Sequence, residues 1–190
     1  VVVNPANEFL TDVTIEQLAL IFSNEATNWS DVDPSWPAEP ILRFSPGTDS
    51  GTFDYFVEAI FAKDKEPLLA APNTQLSEDD NVLVQGVEGS DYAIGFFGYA
   101  YYEENADKLG ILNINGVEAN FDTVEGGEYP LARPLFIYSD AQILAEKPQV
   151  AAFINFFLTH VDEEIETVGY FPASDEALNG AKNAFLEAAQ

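Results

Sequence analysis

Apolar positions along this chain alternate between two periods. Val1–Asn4, Ile41–Ser45, Ala93–Phe97 and Gly110–Asn115 are short, nearly continuous apolar runs, the pattern of buried strands. Between them, apolar residues recur every three or four positions. Ile15, Leu18, Ala19 and Phe22 follow Thr14, and Gln17 stands three residues after it, so a capping box opens a helix over Thr14–Phe22. Phe53, Phe56, Val57, Ile60 and Phe61 line one face of a helix opened by Ser50-Gly51-Thr52. Ser77–Asp80 supplies caps and first-turn acids for a helix ending near Val87. Tyr99–Lys108 predicts another. Val150, Phe153, Ile154, Phe157, Leu158 and Val161 form one broad stripe over Pro148–Val161, and Ser174 caps a last helix carrying Ala177, Leu178, Ala181, Phe185 and Ala188.

The breaks are equally readable. Asn28–Pro40 holds three prolines and two tryptophans and reads as a loop. Pro46–Asp49 is a turn, Asn115-Gly116 a hairpin signal, and Gly169-Tyr170-Phe171-Pro172 a loop. Tyr129–Tyr138 reads as a strand, but Pro130 and Pro134 suit it to an edge or a crossing segment. Strands and helices alternate, so the fold class is α/β, in one domain or two small lobes.

Charge changes the picture. The 190 residues carry 33 carboxylates against 7 basic side chains, a formal net charge of −26. The acid is spread evenly, 17 acids to 3 bases in residues 1–95 and 16 to 4 in residues 96–190, so it is a whole surface and not a tail. With 47% apolar residues, including 15 Phe and 8 Tyr, the chain can build a core despite that charge. No basic patch exists for nucleic acid, and an anionic membrane would repel the chain. Self-repulsion of this size relaxes when salt screens it, which suggests a halophilic origin or a very acidic exported protein. There is no Cys and one His, His160, so thiolate sites and two-imidazole chemistry are excluded. The chain has no Met and begins inside an apparent strand, which predicts a piece of a longer protein.

The stretch that carries chemistry is Arg43–Glu58: strand, tight turn, helix. A helix's first turn offers unpaired N–H groups and the positive end of its dipole. Ser50 and Thr52 add hydroxyls there, and Gly51 lets an anion approach the backbone. Together they form a neutral, donor-rich cradle for a tetrahedral oxyanion. An ordinary N-cap accounts for the same residues. Gly47-Thr48-Asp49-Ser50-Gly51 also has the outline of a nucleophile elbow centred on Asp49, but a hydrolase of that kind needs a base, and only His160 is available. No Walker lysine, dinucleotide glycine fingerprint or calcium loop is present.

The run Pro46-Gly-Thr-Asp-Ser-Gly-Thr-Phe-Asp-Tyr-Phe56 resembles the phosphate-loop signature of periplasmic phosphate-binding proteins of ABC transporters, in the variant common among cyanobacterial and related sequences. Further blocks match in order: Val2-Val3-Asn4 with Asn28-Trp29-Ser30-Asp31-Val32, then Asn81–Gly86, Ala93–Tyr102, Tyr129–Tyr138 and Gly169–Pro172. The resemblance covers essentially the whole chain. It implies a periplasmic-binding-protein-like lobe with a mixed sheet flanked by helices, roughly Asn4–Leu131, followed by a hinge-crossing strand and C-terminal helices of the other lobe, Ala132–Gln190. The rest of that first lobe would be missing.

It further implies inorganic phosphate as ligand, an ABC permease as partner, a periplasmic or extracellular location, and neither catalysis, cofactor nor metal. Ser50, Gly51 and Thr52 would bind phosphate oxygens, with Thr48 a weaker donor. The better-known pattern has an Arg four residues before the motif Ser. Here Pro46 stands there, and Arg43 lies seven before Ser50. Arg43 either reaches the anion through the longer turn or pairs with an acid such as Asp49. Asp49 in turn either holds Arg43 or accepts a phosphate proton. The alternative from another class is an interaction or scaffold protein, or a non-binding fragment, that keeps the lobe without the ligand.

Overall fold

Val2 and Val3 form the strand that their apolar run predicts, and it is paired on both sides (β1, Val2–Val3). The computed structural model describes residues 1–189. After β1 come β2 (Asp12–Val13), α1 (Ile15–Ile21), α2 (Trp29–Val32), β3 (Leu42–Pro46), α3 (Gly51–Phe61), α4 (Glu66–Leu69) and β4 (Thr74–Ser77). Then follow α5 (Asp80–Glu88), β5 (Ala93–Gly95), α6 (Tyr99–Glu103), β6 (Gly110–Ile111), β7 (Asn113–Ile114) and α7 (Phe121–Glu125). These belong to a first unit, Val1–Ala132. A second unit begins at Arg133 and contains α8 (Ala141–Glu146), α9 (Pro148–Glu164) and α10 (Asp175–Ala188). No described helix is long and apolar enough to cross a membrane.

The first unit is a mixed five-stranded sheet in the order β4-β3-β5-β1-β6. β3 runs parallel to β4 and to β5, whereas β1 is antiparallel to β5 and β6. Side-chain alternation divides the core between the two faces. Val3 and Ile94 join a large cluster with Leu18, Ile21 and Phe22 of the α1 region and Phe53, Phe56 and Val57 of α3. Val2 and Ala93, one residue away on each strand, join Val84 and Val87 of α5. Helices therefore cover both faces of the sheet. In the larger core, Phe56 and Phe96 stack at 3.8 Å, and Phe22 meets both rings edge-on.

Most predicted elements form as read. Thr14 and Gln17 make the reciprocal capping box of α1. Asp79 is the cap of α5, and Ser174 the cap of α10. Asn115 and Gly116 take positive φ (54° and 76°) under an Ile114–Val117 bridge, as a tight hairpin requires.

The differences have physical reasons. β4 goes unpredicted because its Thr-Gln-Leu-Ser sequence lacks an apolar face; it is an edge strand held by pairing to β3. The loop 28–40 contains the single turn α2, where the Asp31 carboxylate accepts from the N–H groups of Thr27 and Asn28. α6 stops at Glu103, well short of Lys108. The Gly110–Asn115 run divides: β6 joins the main sheet, and β7 pairs in parallel with β2.

The strand expected over Tyr129–Tyr138 does not form. Among the described residues no strand pairs with it, and Pro130 and Pro134 remove two of its own donors. In the second unit, Leu135, Phe136, Ile137 and Tyr138 are exposed, Tyr138 by 87%. The α9 stripe is likewise only partly covered: Ile154 is buried, whereas Phe153 is exposed. α9 continues past Val161 to Glu164.

Candidate functional site

The candidate site grows from the C-terminal end of β3. Pro46 is the last strand residue, and the N–H of Gly47 still donates to Ser77 O at 2.9 Å, which carries the β3–β4 pairing into the loop. The N–H of Ser50 donates back to Gly47 O at 3.0 Å, closing a tight turn over Thr48 and Asp49. Ser50 is extended (φ −86°, ψ 131°), and its Oγ accepts the Thr52 N–H at 3.2 Å. That is N-cap geometry, and α3 begins at Gly51.

Burial of Phe53, Phe56 and Val57 fixes the helix against the sheet. Tyr55 ties α3 to the end of the unit by donating to Ala132 O at 2.8 Å. Its neighbour Tyr129 is buried, and desolvation with the nearby Tyr55 pushes its phenol up to about 12.

The loop therefore holds its donors on a rigid support. Gly51 is exposed, Ser50 and Thr52 are half-buried, and Thr48 and Asp49 face solvent. The Thr52 N–H is taken by the Ser50 Oγ cap, and the first-turn N–H groups of a helix point out of its N-terminal end. The positive end of the α3 dipole lies at the same place. Because β3, β4 and β5 are parallel, the loops that follow them share one edge of the sheet, where open α/β sheets bind ligands.

Arg43 is the clear correction. Its side chain is fully buried, and its guanidinium donates to four backbone carbonyls: those of Ile21, Ile41 (3.3 Å), Pro72 (2.6 Å) and Ala26 (2.6 Å). It neither reaches the Ser50 turn nor pairs with Asp49. Burial lowers its pKa to about 10, so it stays charged at neutral pH. Arg43 sits near the start of β3 and the turn follows its end, so the two lie at opposite ends of the strand. The structure thus assembles Thr48, Asp49, Ser50, Gly51 and Thr52 and sets Arg43 apart.

A residue read from sequence only as a first-turn acid belongs to the same place. Glu78 follows β4, and its Oε1 accepts the Asp49 N–H at 3.4 Å. Its neighbour Asp80 has a carboxyl raised by desolvation first, then by Asp79 and Glu78. Only recognition of β4 as a strand parallel to β3 could have brought Glu78 to the loop. The base that an Asp49 hydrolase would need is engaged in α9, where His160 Nδ1 lies 3.2 Å from Glu163 and its ring packs on Phe156.

A family model described as the PBP superfamily domain matches residues 1–161. The chain is 42% identical to the protein SphX of Synechocystis over 194 residues, covering 97% of this chain and 57% of that protein. It is 37% identical to the phosphate-binding protein PstS of Staphylococcus haemolyticus, covering 93% and 55%. It therefore spans just over half the length of these curated relatives. Among solved structures, it resembles a possible phosphate binding protein from Planctomyces limnophilus with a TM-score of 0.83 at 40% identity, over all of this chain and 69% of that one. A protein of Clostridium perfringens described as a phosphate ABC transporter substrate-binding protein, solved with bound phosphate, aligns with a TM-score of 0.71 at 26% identity, over 91% and 67%.

Proposed function

The chain belongs to the PBP superfamily, the periplasmic binding proteins, and on that premise we propose that it binds inorganic phosphate for ABC-type import. The observation that carries this reading is the Ser50-capped N-terminus of α3 at the edge where the parallel strands end. Relatives named for phosphate binding support it. Backbone N–H groups and the Ser50 and Thr52 hydroxyls hold the phosphate oxygens, with Gly51 allowing close approach. Thr48 and Asp49 border the anion. Neutral donors near 3 Å outweigh distant, screened carboxylates, so a chain of net charge −26 can hold an anion.

No bond is made or broken: capture is by closure of a two-lobed protein on the anion, followed by delivery to a permease in the cell envelope. Asn4–Leu131 forms one lobe, and residues 132–190 return to the other. The exposed Leu135–Tyr138 run and Phe153 are the surface that a further segment of that lobe covers.

Calorimetry on the full-length, ligand-stripped protein tests this. Phosphate should bind with measurable heat and sulfate should not. Ser50→Ala with Thr52→Ala should weaken phosphate binding by about 3 kcal/mol, on the order of a hundredfold, from two lost bonds to a charged group. No phosphate heat, or unchanged affinity in a folded double variant, removes the reading.

The same exposed apolar run favours a second reading, an interaction protein that uses this surface to self-associate. Light scattering separates the two. A monomer that binds phosphate supports the first; a stable oligomer indifferent to phosphate supports the second.

A further inference from the structure

The carboxylate of Glu78 lies across the phosphate loop, although Glu78 belongs to a different strand–helix connection. Its Oε1 accepts the Asp49 N–H at 3.4 Å. Its carboxyl group also occupies the space over Gly47, where any Cβ would overlap it. Two separate loop residues thus receive one carboxylate: Gly47 by having no side chain, Asp49 by offering a backbone donor. Parallel pairing brings this about, because Pro46 stands opposite Ser77 and Glu78 is the first residue past the end of β4.

A carboxylate is itself an oxyanion. It accepts hydrogen bonds with the same geometry as two oxygens of a phosphate, and it carries the same sign of charge. The N–H that it takes belongs to the residue just before Ser50, in the turn that delivers the Ser50–Thr52 donors. An anion seated on those donors meets Glu78 as a rival for the loop and as a neighbouring like charge. The contact is long and the side chain exposed, so displacement is cheap but not free.

Resting on the phosphate reading above, we propose that Glu78 is an internal competitor at the phosphate loop, an affinity-setting residue whose carboxylate must yield for the anion to bind. Gly47 is its counterpart, kept without a side chain so that the carboxylate can lie against the loop.

The test is phosphate calorimetry at low salt on the full-length, ligand-stripped protein and on Glu78→Gln, Glu78→Ala and Gly47→Ala. Glu78→Ala removes both charge and acceptor and should bind phosphate about threefold to fivefold more tightly, the range expected for one exposed charge contact. Glu78→Gln removes the charge alone and should gain less. Gly47→Ala should also tighten binding, by evicting the carboxylate from the loop. All three gains should shrink in 1 M NaCl, where like-charge repulsion is screened within about 3 Å.

Equal or weaker affinity in both folded Glu78 variants overturns the proposal and makes Glu78 a bystander or a strut, while leaving the phosphate reading intact. No phosphate binding in any form overturns the phosphate reading and the competitor with it. Thermal melts verify folding, which an exposed Glu78 should not affect.

Discussion

Arg43→Met should cost the first unit about 3–5 kcal/mol of stability, the size expected when one partner of a buried charged network is removed. The methionine keeps most of the volume, so the loss comes from the carbonyls of Ile21, Ala26, Ile41 and Pro72, which lose their common donor inside the fold. Each buried carbonyl left without a partner costs about 1–3 kcal/mol, partly offset because no guanidinium has to be desolvated. Arg43→Lys should recover only part of the loss, since an ammonium cannot span four acceptors with a planar fork. Urea unfolding followed by tryptophan fluorescence measures this directly, because Trp29 and Trp36 both lie in the first unit. A change below about 1 kcal/mol in Arg43→Met would show that the carbonyls find other donors.

The melting temperature should rise with salt, by on the order of 10 °C between 50 mM and 2 M NaCl. The net charge is −26, from 33 carboxylates against 7 basic side chains, and the Lys63–Glu58 ion pair is exposed. Most of the carboxylates therefore have no basic side chain to pair with and repel their neighbours. Screening shortens the range of that repulsion from about 10 Å at 0.1 M to about 3 Å at 1 M. Sucrose, which stabilises without screening, separates the ionic effect from a general solvent effect. A melting temperature that is flat in NaCl would sink the salt-adapted reading of the surface.

Arg43 and Glu78 show how legible the site was. The Ser50 cap and the start of α3 could be read from the chain because everything that forms them is local: a strand end, a turn, a cap and an amphipathic helix within a dozen residues. Arg43 was misjudged because sequence distance from Ser50 says nothing about which carbonyls converge on a strand's other end. Glu78 was missed because its neighbour strand β4 has no apolar alternation; only pairing to β3 defines it. Tyr129–Tyr138 failed in the opposite sense. Its residues have strand character, but a strand exists only when another backbone accepts its hydrogen bonds.

By itself the sequence determined the α/β alternation, the caps at Thr14, Ser50 and Ser174 and one within Ser77–Asp80, the burial of the Val1–Asn4 run, and the acidic surface. All of these follow from local periodicity, local side-chain-to-backbone bonds or composition. Tertiary structure alone decided the partners. It chose the strand order β4-β3-β5-β1-β6, gave Arg43 to four carbonyls and laid Glu78 against Gly47 and Asp49. Such contacts join residues far apart in the chain, and local pattern carries no information about which distant groups will satisfy one another.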